Sequence, residues 1–143
     1  MKSAPGKNFL FVTGILYIVF GGMGIITSAV GLATANYWDR TLPIANDMSW
    51  SVHYTIALIS SLFYIFVGIM GVINCARLEK ASILRVLGCI DIGHVILSAI
   101  LVAVVFSGAL GGFTVVCTLV LGFVLPILFI IGAQKNHSQF MGQ

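Results

Sequence analysis

Residues 52–76 read V-H-Y-T-I-A-L-I-S-S-L-F-Y-I-F-V-G-I-M-G-V-I-N-C-A and contain no Asp, Glu, Lys or Arg. A helix needs about 20 mostly apolar residues to cross the hydrocarbon core of a bilayer. The stretch is long enough, and its apolar residues do not alternate with polar ones as the strands of a membrane barrel would. It therefore predicts a transmembrane α-helix.

Three further stretches have the same character, at residues 9–35, 82–107 and 113–133. Over the 143 residues, 59% are hydrophobic and 8% are charged. A soluble domain carries about 25% charged residues, so lipid is the predicted solvent. We predict an all-α integral membrane protein whose single domain, residues 1–143, is a four-helix bundle of up-down-up-down order.

The basic residues predict the orientation of the spans. Six of the seven lie near one set of span ends: Lys2, Lys7, Arg77, Lys80, Arg85 and Lys135. Because basic residues concentrate on the cytoplasmic side, both termini are predicted to be cytoplasmic, in a cell membrane. The net charge of +3 comes from residues scattered singly at span ends, so no nucleic-acid partner is predicted.

The predicted loops differ in length and character. Residues 77–81 form a short charged turn, which predicts that the second and third spans make an antiparallel hairpin. Residues 108–112 form a small uncharged outer turn. Residues 36–50 form the longest external segment, with Tyr37, Trp38 and Trp50 near its ends. Aromatic anchoring at the membrane edge explains this segment, and ligand binding is the alternative.

Small residues recur on one face of the first two spans. They are Gly21, Gly24, Ser28 and Gly31 in the first span, and Gly68 and Gly71 in the second. Small residues let helix backbones approach closely, which is how helices associate in lipid. The stripe therefore predicts helix-packing surfaces, and its spacing does not by itself predict a dimer.

The first two spans also share a sequence pattern. Y-I-V-F-G-G-M-G-I-I-T-S-A begins at Tyr17, and Y-I-F-V-G-I-M-G-V-I-N-C-A begins at Tyr64. Two interpretations are open. One is an inverted repeat of the kind that transporters use on a larger scale, and the other is chance similarity between helices built from few residue types.

Three polar residues, Asp91, His94 and Ser98, lie on one face of the third span. At about 1.5 Å per residue, Asp91 is about 14 Å along that span, near the middle of a ~30 Å core. A charged side chain there costs at least ~2.5–3.5 kcal/mol, so the group should face the bundle or an aqueous cavity. Two hypotheses follow: a proton or cation site, or a hydrogen-bonded lock between helices.

The remaining residues offer little for catalysis. Cys75, Cys89 and Cys117 are lone thiols without a C-x-x-C pair, which predicts buried structural cysteines and no disulfide. No Ser-His-Asp set, zinc motif, phosphate loop or carboxylate pair can be assembled from the sequence pattern. We therefore predict no enzyme activity, no catalytic residues, no metal and no cofactor.

Three single positions carry smaller expectations. His53 lies at the outer end of the second span, where an interfacial histidine needs no functional explanation. Asn74 is expected to bond a neighbouring helix. Pro126 is expected to kink the fourth span, because proline removes a helix hydrogen bond.

Two segments carry a resemblance. They are Y-I-F-V-G-I-M-G-V-I-N-C-A-R-L-E-K-A-S-I-L-R-V-L-G from Tyr64, and L-P-I-L-F-I-I-G-A-Q-K-N from Leu125. They resemble small four-span bacterial membrane proteins of uncharacterised function, in which glycine-rich spans meet at a basic hairpin. The resemblance implies a bacterial cytoplasmic membrane and no known activity.

Two classes of function fit these features. The first is a structural or interaction protein, a subunit or modulator of a larger membrane complex, whose partners are the bilayer and a second copy or another membrane protein. The alternative is a small oligomeric channel or proton-coupled carrier lined by Asp91, His94 and Ser98. The two classes differ in whether Asp91 faces a hydrated cavity or a dry helix contact.

Overall fold

The computed structural model describes residues 4–41, 49–105 and 109–142, with some side chains between residues 104 and 121 excepted. These described residues form four long helices: α1 Lys7–Thr41, α2 Trp50–Asn74, α3 Ala81–Val105 and α4 Ala109–Met141. A 3₁₀ turn, Leu78–Lys80, connects α2 to α3. Over the described ranges there is no strand, and the all-α prediction is confirmed.

Three helical segments, Lys7–Thr41, Trp50–Asn74 and Leu78–Ala103, are long and apolar enough to cross a membrane. Their outer surfaces carry large apolar side chains, and Ile26, Ile59 and Ile73 are each at least 60% exposed. A soluble protein rarely exposes contiguous apolar surface of this extent. A helix also satisfies its own backbone hydrogen bonds, as lipid requires. These features identify a membrane protein.

Two helices extend beyond the predicted span ends. α1 continues past residue 35 to Thr41, so Tyr37 and Trp38 lie on a helix rather than in a loop. α4 continues past residue 133 to Met141, so the polar tail is helical as well. Gly112, expected in an outer turn, lies in the first part of α4. Residues 42–48, within the predicted external segment 36–50, lie outside the described residues. So do residues 106–108, which cover the predicted end of the third span and the first residue of the predicted outer turn.

The end of α1 is tied to the start of α2 by Asp39. Its Oδ1 accepts a hydrogen bond from the backbone N–H of Trp50 at 2.8 Å, and its Oδ2 accepts one from the Ser49 hydroxyl at 2.9 Å. The first N–H groups of a helix lack partners within the helix, so a carboxylate there stabilises the helix start. This contact therefore joins the last turns of α1 to the first turn of α2.

Glycines bring α1 and α2 into close contact. A Cβ atom at Gly14 would lie 2.9 Å from the carbonyl oxygen of Gly68, and one at Gly68 would lie 2.6 Å from that of Gly14. Further along, Gly21 meets Ser61, and Gly31 meets the ring of Tyr54. Along these contacts the residue numbers increase on α1 while they decrease on α2, so the two helices pack antiparallel.

The other helix contacts are uneven. α3 packs mainly on α4, where Gly88 meets Ile130 and Gly122 meets Val95, and α4 also packs on α1. α2 and α3 follow each other through a short turn, but they pack together only sparsely. The predicted short turn between the second and third spans is therefore confirmed, but the predicted packing of these two spans on each other is wrong. α2 packs mainly on α1, and α3 packs mainly on α4.

Asn136 is the buried polar cross-link at the other end of the bundle. Its Oδ1 accepts from the backbone N–H of Gly6 at 2.7 Å, and its Nδ2 donates to the carbonyl of Cys75 at 2.9 Å. Asn74, expected to bond a neighbouring helix, instead donates to the Met70 carbonyl of its own helix at 3.0 Å. The role expected of Asn74 therefore falls to a residue in the predicted tail.

Pro126 is buried inside α4, and the helix continues on both sides of it. α4 is therefore continuous through Pro126, and the kink expected there stays a prediction. Next to it, the buried side chain of Phe129 packs with Leu10, Tyr17, Val67 and Leu84 in the hydrophobic core.

Candidate functional site

Asp91 lies in a dry contact between α1 and α3. Its side chain is 0% exposed, and its Oδ2 accepts a hydrogen bond from the hydroxyl of Tyr17. Tyr17 is itself buried and packs edge-on against the ring of Phe129, with centroids 5.8 Å apart. A buried carboxyl needs hydrogen-bond partners, and Tyr17 supplies one across the helix interface.

His94 lies between Asp91 and α2. Its Nδ1 is 3.8 Å from Oδ1 of Asp91, just beyond hydrogen-bond distance, and its Nε2 is 2.8 Å from the hydroxyl of Ser60. Asp91 Oδ1 and His94 Nδ1 are buried, and neither has a hydrogen-bond partner within the described part of the chain. A small approach of the two side chains would let each atom satisfy the other. The imidazole therefore lies between the buried carboxyl of Asp91 and the Ser60 hydroxyl on α2 and, among the described residues, is hydrogen-bonded only to the hydroxyl.

Tyr17 and Tyr64, which begin the sequence pattern shared by the first two spans, both contact the Asp91–His94 pair. The rings of Tyr17 and Tyr64 are in contact, with centroids 5.6 Å apart. Tyr17 bonds Asp91, while Tyr64 packs edge-on against His94 with centroids 5.2 Å apart. Equivalent positions of the two similar spans thus meet on the polar residues of α3.

A cleft of about 230 Å³ opens between α2 and α3, where the two helices separate. Ten residues line it: His53, Ile56, Ala57, Ser60, Ser61, Tyr64, His94, Ser98, Leu101 and Val102. His94 and Ser98 therefore share this cleft, while Asp91 lies behind His94 and does not line it. The three residues predicted as one site are split between a dry contact and a cleft.

His53, expected at the outer end of the second span, also lines the cleft. Its ring packs edge-on against Trp50, with centroids 5.6 Å apart. Trp50 stacks on Tyr54 at 5.8 Å and lies 6.4 Å from Trp38. These aromatic rings join the ends of α1 and α2, as expected for side chains at a membrane edge.

Ser60 is the functional candidate that the sequence pattern does not predict. Its neighbour Ser61 faces α1, contacts Gly24 and donates to the Ala57 carbonyl at 2.7 Å, a common bond for serine in helices. Adjacent helix positions point in different directions, so Ser60 must point away from the glycine stripe. The same reasoning could have identified Ser60 from the sequence if the packing of α3 beside this face of α2 had been known.

Ser60, His94 and Asp91 lie in the order of a Ser-His-Asp triad, so the expectation that no such set could be assembled is corrected. However, Ser60 lies in the interior of α2, where backbone N–H groups are bonded within the helix. Acyl transfer relies on donors directed at the developing oxyanion, often backbone N–H groups. The set therefore offers hydrogen bonding and proton exchange more readily than nucleophilic attack.

The glycine stripe lies at helix contacts. Gly21, Ser28, Gly31, Gly68 and Gly71 are buried, and Gly24 is half-buried against Ser61. Among the thiols, Cys75 is buried, Cys89 is exposed, and the side chain of Cys117 lies outside the described residues. Cys89 thus differs from its expected burial. In the described part of the chain, no three His, Cys, Asp or Glu side chains are close enough to hold a metal ion.

No protein-family model, curated protein or solved structure matches this chain. Function must therefore be argued from the site itself rather than from a relative.

Proposed function

We propose that this protein is a non-enzymatic structural or interaction protein of the membrane, a subunit or modulator of a larger membrane complex. The observation that carries the proposal is the complete burial of Asp91 against Tyr17. A carboxyl in a dry helix contact cannot exchange freely with ions in water. Its most direct use is to hold two helices together.

The other buried polar groups support the same role. His94 bonds Ser60 and so ties α3 to α2, and Asn136 ties α4 to the end of α2 and to Gly6. Acyl chains are as apolar as the helix surfaces, so the hydrophobic effect does not drive helices together within a bilayer. Hydrogen bonds between helices and close contacts at glycine hold them together instead. Hydrogen bonds between side chains, or from a side chain to the backbone, thus join α1 to α3, α3 to α2, and α4 to the end of α2.

The proposed topology has four spans with both termini in the cytoplasm of a bacterial cell. The antiparallel packing of α1 on α2 supports alternating spans, and the basic residues support the orientation. The resemblance to small bacterial membrane proteins supports the bacterial membrane. The proposed partner is a second copy or another membrane protein, with its contact inside the bilayer.

The test is the size of the assembly in native membranes. Epitope-tagged protein at its natural expression level is cross-linked in intact membranes, solubilised mildly and separated by native electrophoresis. We expect a discrete complex larger than the single chain, and the same band without cross-linker. A single chain at every cross-linker concentration would contradict the proposed role.

A second candidate is a proton-coupled carrier or small oligomeric channel, which the α2–α3 cleft favours. His94 and Ser98 line this cleft, and the imidazole is the connection through which a proton could pass between the cleft and Asp91. In this case wild-type protein in liposomes would carry a proton or cation flux. Asp91→Asn would abolish that flux, because an amide of similar shape cannot release a proton.

A further inference from the structure

We propose that the α2–α3 cleft binds a small organic ammonium ion with an apolar body about the size of a benzene ring. Ser60, Ser98 and His94 line this cleft, and the buried carboxyl of Asp91 lies behind the imidazole. Binding requires neither flux nor a protein partner, so the inference stands apart from both functions proposed above.

The polar end of the cleft is rich in hydrogen-bond acceptors. When Nδ1 of His94 carries its proton towards Asp91, Nε2 accepts from the Ser60 hydroxyl at 2.8 Å. The lone pairs of Ser60 are then left to accept from a ligand. Ser98 and Tyr64 also line the cleft, and a hydroxyl oxygen can accept a hydrogen bond. A ligand with several N–H donors satisfies this arrangement.

The charges around the cleft favour a cation. Asp91 is the acidic residue behind it, and no Lys or Arg is among the described residues that line it. A nearby positive charge stabilises an ionised carboxylate, whereas an anion opposes it. Because Asp91 is fully buried, the ammonium group lies against Ser60 and His94, and the carboxylate acts on it from behind the imidazole.

The walls and volume define the body of the ligand. Ile56, Ala57, Leu101 and Val102 form apolar walls, and the cleft holds about 230 Å³. An apolar cavity of about 150 Å³ accommodates benzene, so this cleft has room for a ring with a short side chain. The rings of His94 and Tyr64 meet near the polar end, with centroids 5.2 Å apart. Phenethylammonium has these properties.

The test is isothermal titration calorimetry on purified protein in phosphatidylcholine nanodiscs, with empty nanodiscs titrated as the baseline. The probes are phenethylammonium, the neutral 2-phenylethanol and the anionic 3-phenylpropionate. We expect saturable binding of one phenethylammonium per chain, at least ten-fold tighter than either other probe. Equal binding of the neutral or anionic probe, or no saturable binding of the cation, would overturn the proposal.

Two variants locate the bound ion. Asp91→Asn removes the charge and should weaken phenethylammonium binding at least ten-fold, while Ser60→Ala removes an acceptor and should weaken it several-fold. Thr55→Ala is the matched control, because Thr55 lies on α2, is exposed and bonds its own helix. Unchanged affinity in Ser60→Ala would place the ion elsewhere and contradict the proposal, even where Asp91→Asn fails to fold.

Discussion

The hydroxyl of Tyr17 on α1 donates a hydrogen bond to Oδ2 of Asp91 on α3, and neither side chain is more than 1% exposed. The two residues are 74 positions apart in the chain, on helices that are not neighbours in sequence. The bond therefore fixes the tertiary arrangement rather than a local turn. The carboxyl of Asp91 thus lies in a contact between two helices, and the proposed role as a helix lock rests on this observation.

Asp91 should tolerate an amide and not an alkyl group. Asn at this position can still accept from Tyr17 and donate to His94, so Asp91→Asn should retain most of the stability. Asp91→Leu strands the Tyr17 hydroxyl, and a buried unsatisfied polar group costs about 1–3 kcal/mol. Unfolding by denaturing detergent measures both variants. Equal stability of Leu and Asn at this position would show that the hydrogen bond contributes nothing.

Two glycines should respond in opposite ways to an added methyl group. Gly68→Ala places a Cβ about 2.6 Å from the Gly14 carbonyl, which forces α1 and α2 apart. Overpacking of this kind costs about 1–3 kcal/mol. Gly22→Ala is the matched control, since a Cβ there meets nothing within 4 Å. We expect it to be neutral or more stable by up to about 1 kcal/mol, because Ala favours helix over Gly.

Glycine patterning illustrates what the sequence could predict. Residues at steps of three and four identify a packing face, and Gly21, Gly31 and Gly68 do lie at helix contacts. The partner of that face was not predictable, because lipid and helix surfaces are both apolar. The cost of a polar group in lipid predicts that Asp91 and His94 face inward. Because the helix pairing was not predictable, the sequence cannot identify Tyr17 or Ser60 as their partners.

Asn136 shows a second limit of sequence patterns. The polar residues after residue 133 indicate the end of the apolar run, and the end of a span was inferred from them. The helix nevertheless continues, because Asn136 finds buried partners in Gly6 and Cys75. Apolar length alone therefore does not predict where a helix ends.

Substitution of Asn136 should destabilise the bundle at that end. Asn136→Leu leaves the N–H of Gly6 and the carbonyl of Cys75 without their partner, at a cost of about 1–3 kcal/mol. Ser138→Ala is the control, because Ser138 lies on the same helix and is exposed. Thermal unfolding in mild detergent compares the two. A wild-type melting temperature for Asn136→Leu would contradict the cross-link.

The proposed topology predicts which single cysteines react from outside the cell. In a variant without native cysteines, Thr41→Cys should react with an impermeant thiol reagent in intact cells. Ser3→Cys and Ser138→Cys should react only after the membrane is opened, because positive residues keep both termini inside. Labelling at position 3 or 138 but not at position 41, in intact cells, would reverse the orientation.

The most direct test of the helix lock is a double-mutant cycle with Tyr17→Phe and Asp91→Leu. Each single change strands one partner of the bond, whereas the double variant removes both. Because hydrogen bonds between membrane helices couple by about 0.6 kcal/mol on average and up to about 1.7 kcal/mol, the double variant should be more stable than the sum of the single losses predicts, by an amount in that range. Losses that add within about 0.3 kcal/mol would mean that the two residues do not stabilise each other, and would contradict the lock.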